Sequence, residues 1–219
     1  MAVKVIIFDF DGTIADTYEA IVDVTNSLAA EFDYQQVSQA ELAQLKALSS
    51  REIIKRSKIS IFKIPFLLKR VKEELGKKIE TIEPFDRIET ALSALKQQGY
   101  QLGIVTSNSE ENVVAFLEKN GLDSLFTFIY SGTSLFGKHH VIRSLLKQRG
   151  VAAKEVVYVG DETRDIEAAK KSRVKVISVG WGFNAPSVLA QHQPDCLIQH
   201  PQELVQVVKN WNKPMQKAL

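Results

Sequence analysis

Residues 3–13, VKVIIFDFDGT, restrict the possible folds of this chain more than any other stretch. Val3, Val5, Ile6, Ile7 and Phe8 form a short apolar run rich in β-branched residues, the pattern of a strand buried on both faces. The run breaks at two carboxylates, Asp9 and Asp11. Acidic side chains beside a buried strand need a partner, and the carboxyl edge of an open α/β sheet is where such folds place ligands. The stretch therefore points to a cation and a reaction. If both aspartates meet one substrate, Asp11 is expected to lie already in the turn, where Gly12 permits the bend.

The chain then leaves the sheet. From 15 to 80 the pattern is helical, with no strand: a helix to about Phe32 opened by an Asp16/Glu19 capping box, another over 39–48, a short one over 50–57, and a longer one over 65–75. Pro65 suits the first turn of the last helix and Gly76 its end. Within the 15–80 segment, IFKIPFLL is the most apolar run and is expected to pack among the segment's own helices. After Pro84 helix and strand alternate regularly. Strands are predicted over 101–105, 126–130, 156–159, 174–179 and 196–198, and helices over 88–98, 112–119, 139–148, 166–171, 187–191 and 203–211. Such alternation implies an α/β fold, parallel strands joined by right-handed helical crossovers. The tail NKPMQKAL is expected to fray.

The chain has 219 residues, 45% hydrophobic and 25% charged, ample for a full core and ordinary for a soluble protein. No apolar run approaches the ~20 residues of a membrane span, and the N-terminus lacks the apolar core of a signal peptide, so a cytoplasmic protein with no membrane partner is expected. One cysteine, Cys196, rules out an intramolecular disulfide and is expected to fill space. The net charge of +2 conceals a division: 15–45 carry six acids and no Lys or Arg, whereas 46–78 carry eleven bases and three acids. These read as solvated helix faces, and a nearly neutral chain without a binding motif implies no nucleic acid partner.

Four stretches at strand ends carry the chemistry. Asp9-Phe10-Asp11-Gly12-Thr13 is the first. Thr106-Ser107-Asn108 offers hydroxyl and backbone donors able to hold phosphate oxygens. Lys138, after Gly137 at a helix start, supplies a point charge that can neutralise a developing anion. Gly160-Asp161-Glu162-Thr163-Arg164-Asp165 adds further carboxylates. Singly, such residues cap helices and close turns; their succession at successive strand ends argues for one site.

Asp-x-Asp-Gly-Thr after a hydrophobic strand, followed in order by the Thr106, Lys138 and Gly-Asp-x-x-x-Asp stretches, resembles the haloacid dehalogenase superfamily over nearly the whole chain. Phosphoglycolate-phosphatase-like members are the closest in look. The resemblance implies a Rossmann-like three-layer core over 1–14 and 81–219, with 15–80 as an inserted all-helical C1-type cap. It further implies a phosphatase acting on a small phosphorylated metabolite through an aspartyl-phosphate, with Mg²⁺ as cofactor. Asp9 would be the nucleophile and Asp11 the general acid and base. Thr106, Ser107 and Lys138 would bind phosphate. Asp9, Asp11 through its carbonyl, Asp161 and Asp165 would surround the metal. Ser50 and Arg51, at a turn between cap helices, are the candidates for substrate selection, and the molecule is expected to be a monomer or homodimer. A phosphomutase and a non-catalytic binding protein on the same fold are the alternatives.

Overall fold

The computed structural model describes residues 2–132 and 137–212; the tail expected to fray lies, beyond Asn212, outside the described residues. Its sheet contains β1 (Val5–Phe8), β2 (Gln101–Val105), β3 (Phe126–Tyr130), β4 (Val156–Gly160), β5 (Lys175–Val179) and β6 (Cys196–Ile198). They lie in the order β3-β2-β1-β4-β5-β6, every neighbouring pair parallel. The fold is therefore α/β and Rossmann-like, with each expected strand present. β1 is central and fully buried, which explains its unbroken apolar run. Its side chains alternate between faces: Ile6 and Phe8 join one core cluster, Val5 and Ile7 the other.

Register places the chemistry. Phe8 aligns with Ile104 of β2 and Val159 of β4, so all three strands end level with one another. The chain order reverses between β1 and β4, and the crevice at such a reversal is where open α/β sheets bind ligands.

Between β1 and β2 lie α1 (Tyr18–Ser27), α2 (Ala29–Phe32), α3 (Gln39–Leu45), α4 (Ser50–Ser57) and α5 (Ile64–Lys78). The rest of the chain adds α6 (Ile88–Gln97), α7 (Glu110–Lys119), α8 (Lys138–Arg149), α9 (Thr163–Ser172), α10 (Pro186–Gln191) and α11 (Glu203–Asn212). The 15–80 segment has a small cluster of its own, Val24, Leu28, Phe32 and Leu67. Leu75, near the end of α5, belongs instead to the cluster against the sheet, so α5 ties the two together.

Four expectations for this segment need correction. The first helix is broken at Leu28 into α1 and α2. It begins at Tyr18 behind Thr17, not at a capping Asp16; the Asp16 amide is engaged by the Glu83 carbonyl at 3.0 Å, where the outgoing and returning chains meet. Gly76 does not end α5, which continues to Lys78 with Gly76 inside it. Finally, the IFKIPFLL run is only partly packed: Leu67 is buried, while Ile61, Phe62 and Phe66 are 73%, 82% and 67% exposed. No helix among the described residues is long and apolar enough to cross a membrane. Cys196 is half-buried on β6 and its thiol is pushed up by burial.

Candidate active site

β1 ends by delivering Asp9 into a closed pocket of charge. The Asp9 amide donates to the Val159 carbonyl of β4 at 2.8 Å, fixing the backbone, and the carboxylate meets the Lys138 ammonium. Lys138 opens α8 and also donates to Asp165 Oδ1 at 2.7 Å. Asp9, Lys138 and Asp165 are all buried, the last two at 2% and 0% exposure. Such a cluster holds only because each charge has a partner. Asp165 is further tied by the Glu162 amide at 3.1 Å and lies 3.4 Å from the Tyr158 hydroxyl.

Asp11 lies in the turn beyond β1, as expected, with Gly12 next to it at φ +73°. That left-handed backbone favours glycine. A Cβ on Gly12 would also collide with Asp161 Oδ2 and the Phe183 ring. The Asp11 carboxylate accepts from Asn108 Nδ2 at 3.0 and 3.2 Å. Asn108 follows β2, so the second strand end reaches the first directly.

Asp161, at the end of β4, is fully buried. Its oxygens accept from Thr13 Oγ1 and from the Phe183 amide, each at 2.7 Å. The Trp181 indole donates to the Thr13 carbonyl at 3.2 Å. The 181–184 loop therefore closes over the first turn through both its aromatic residues and its backbone. Thr106 is buried, its hydroxyl accepting from the Asn108 amide at 3.0 Å, and Ser107 beside it is half-buried.

Ser50 and Arg51 reach the same edge from α4. Ser50 Oγ donates to Glu162 Oε1 at 2.7 Å, and Arg51 pairs with Glu167 at 3.1 Å. The carbonyls of Lys46 and Leu48 accept from the Ala185 amide and from Asn184 Nδ2, each at 2.8 Å. The helical segment is thus bonded to the sheet edge on the side of β4 and β5.

Charge density perturbs these groups. Burial pushes Asp9 up to about 7, against the pull of Lys138 and with the push of Asp165. Burial also pushes Asp11 up to about 6, while the Asn108 hydrogen bond acts in the other direction. Asp161 is raised well above the ordinary carboxylate range by burial and then by the charges of Glu162, Asp9 and Asp165. For Lys138, burial disfavours the ammonium, but Asp165 and Asp9 outweigh it and the net shift is upward.

Two features were not found from sequence. Glu162, together with Asp9 and Asp165, places carboxylate oxygens within 4.8 Å of one another; it stood inside the quoted motif but at a position with no role implied. Lys72 of α5 is half-buried; burial pushes its ammonium down, while the Asp11 carboxylate acts in the other direction. One lysine among eleven bases carried no signal that it would face Asp11. The donor set of Asp9, Glu162 and Asp165, with Asp161 beside it, is all carboxylate oxygen, which suits a hard divalent cation.

Buried acids, one ammonium and backbone donors gather at the carboxyl edge of a parallel α/β sheet, an arrangement able to hold a cation and an anion together. A family model for haloacid dehalogenase-like hydrolases matches residues 6–179. A phosphoglycolate phosphatase of Synechococcus elongatus is 38% identical over 94% of this chain and 97% of its own. A pyrophosphatase, PpaX, of Listeria innocua is 24% identical over 95% and 97%. The solved structure of a predicted phosphatase from Clostridium acetobutylicum shares the fold at TM-score 0.82 and 23% identity, covering 96% of this chain and 100% of that one. The chain belongs to the haloacid dehalogenase-like hydrolases.

Proposed function

We propose that this protein is a Mg²⁺-dependent phosphatase that hydrolyses a small phosphorylated metabolite of the phosphoglycolate type through an aspartyl-phosphate on Asp9. The observation that carries the reading is the buried Asp9–Lys138–Asp165 array with Asp11 one turn away. Phosphate monoesters hydrolyse extremely slowly unaided, and their catalysis is mainly positioning and charge neutralisation. A fixed ammonium beside a fixed carboxylate supplies both.

In the proposed reaction an Asp9 oxygen attacks phosphorus, and the bond from phosphorus to the leaving oxygen breaks. Asp11 gives that oxygen its proton. Asp11 then takes a proton from water as the water oxygen attacks the phosphorus of the aspartyl-phosphate, which releases inorganic phosphate and restores Asp9. A carboxyl raised to about 6 is suited to giving and taking protons near neutrality. Lys138, with Thr106 and Ser107 at the end of β2, holds the phosphoryl oxygens. Asp9, Asp161, Glu162 and Asp165, with the Asp11 carbonyl, would hold the cation, which when bound neutralises phosphoryl charge and lets these crowded carboxylates ionise. Residues 15–80 act as a cap over the core formed by 1–14 and 81–219, with Ser50, Arg51 and Lys72 on its inner side, and closure excludes water.

The relative identical at 38% supports phosphoglycolate as the first substrate to try, and the pyrophosphatase relative adds pyrophosphate. Phosphate release is to be screened over small phosphomonoesters, phosphoglycolate and pyrophosphate, with and without Mg²⁺, using Asp9→Asn as the blank. Mg²⁺-dependent release above the blank from a phosphomonoester is expected. Equal release by wild type and Asp9→Asn, or none from any substrate, defeats the reading.

A further inference from the structure

The Asn112 side chain sits where three elements meet. It projects from the first turn of α7 and is 8% exposed. Its Nδ2 donates to the Lys72 carbonyl of α5 at 2.9 Å and to Asn108 Oδ1 at 3.0 Å. Asn108 Oδ1 receives a second donor, the Ser109 amide, at 2.8 Å. With its oxygen held on that side, Asn108 can present only Nδ2 to the site, and Nδ2 bridges both oxygens of Asp11. An uninterrupted line of amides therefore runs from the backbone of α5 to the Asp11 carboxylate.

Gly76 belongs to the same device. It lies inside α5, where glycine is a poorer helix former than alanine, and its backbone is not left-handed. Conformational freedom therefore does not account for it. A Cβ there would stand 2.5 Å from Asn112 Oδ1, closer than real contacts allow. The missing side chain lets α5 approach until the Lys72 carbonyl meets Asn112.

We infer that Asn112 is a positioning residue for Asp11, coupling the docking of α5 to the orientation of the Asn108 amide that holds the carboxylate. The inference rests on the reading of Asp11 as the proton carrier. Asn112 touches neither substrate nor reacting atoms; it acts through Asn108. α5 docked against Gly76 completes the line, and α5 displaced breaks its first bond.

The test is steady-state kinetics on p-nitrophenyl phosphate and on phosphoglycolate, with Mg²⁺, for Asn112→Ala, Gly76→Ala, the double variant and Asp11→Asn, alongside thermal unfolding of each. Loss of Asn112 should lower kcat by about tenfold with KM within about twofold, as expected when an interaction made in the transition state is lost. Gly76→Ala keeps every amide and favours the helix, yet should lower kcat by a similar factor by pushing Asn112 aside. In the Asn112→Ala background the same glycine change should leave kcat unaltered and raise the unfolding temperature, because the collision is gone. If Asp11→Asn is inactive while Asn112→Ala and Gly76→Ala both keep kcat within twofold of wild type, the inference is overturned and the reading of Asp11 stands. Multiplying effects of the two changes on kcat also overturn it. If Asp11→Asn retains full turnover, the reading of Asp11 fails, and the coupling with it.

Discussion

The Lys138 ammonium donates to Asp165 Oδ1 at 2.7 Å while both side chains are closed to solvent. The same ammonium meets the Asp9 carboxylate, and the Arg164 guanidinium adds a second positive charge that acts on both acids. Removing one partner of a buried pair leaves an uncompensated charge, which costs about 3–5 kcal/mol. Lys138→Met should therefore lower the stability of the metal-free protein by that order, measured by urea unfolding at pH 7, and abolish phosphate release. Unchanged stability would mean that the acids are already protonated and need no counter-charge.

Asp9 and Asp11 are expected to respond alike in activity. Asp9→Asn removes the attacking oxygen's charge, and Asp11→Asn removes the proton carrier, an effect typically of about 10²–10⁴-fold. Both amides fit the volume they replace, so circular dichroism and thermal unfolding should show folded proteins. Wild-type turnover in either variant would sink the corresponding role.

Metal-free stability should depend on pH in a definite direction. The Asp9 carboxyl is at about 7 in the folded protein against 3.8 as its ordinary value. Between those limits the folded state holds a proton that the unfolded state has released, so stability falls as pH rises through the window. Lys138 is raised, so it stays charged throughout and does not reverse the sign. Thermal midpoints in EDTA should therefore drop from pH 5 to pH 7.5. Asp9→Asn should flatten that slope, and Mg²⁺ should restore stability most at the upper end. A midpoint that climbs with pH in EDTA would contradict the burial of these acids.

The strands and the first turn were legible because each is dictated locally. β1 is apolar without interruption since both faces are covered, and Gly12 announces a bend that no other residue makes as cheaply. Asp9, Asp11, Lys138 and Asp165 could be gathered from sequence because parallel strands end at one edge. What stayed hidden depends on tertiary contact. Gly76 has the local signature of a helix end, yet its reason is Asn112, 36 positions away on another element. Ile61, Phe62 and Phe66 have the composition of a core but lie outside it: the first two stand in the turn before α5, and α5 itself turns Leu67 and Leu75 inward rather than Phe66. Asp16 has the chemistry of a helix cap, but its backbone amide is taken by the Glu83 carbonyl where the outgoing and returning chains meet.

Lys72 offers the sharpest test of substrate choice. Its ammonium is half-buried, lowered by burial, and within electrostatic reach of Asp11. Among the described residues it has no hydrogen-bond or ion-pair partner, whereas Arg70 on the same helix is paired with Glu31, Glu73 and Glu74. A desolvated cation facing a site without a protein partner favours an anion on the ligand, and one such charge-assisted bond changes affinity by about tenfold. Lys72→Met keeps the stem's packing and the carbonyl that Asn112 uses, so only the charge is lost. KM for phosphoglycolate, which carries a carboxylate besides its phosphate, should rise about tenfold, while KM for p-nitrophenyl phosphate, which has no second anion, should stay within about twofold. Equal increases for both substrates would assign Lys72 to the phosphate itself, and no increase for either would place it outside substrate binding.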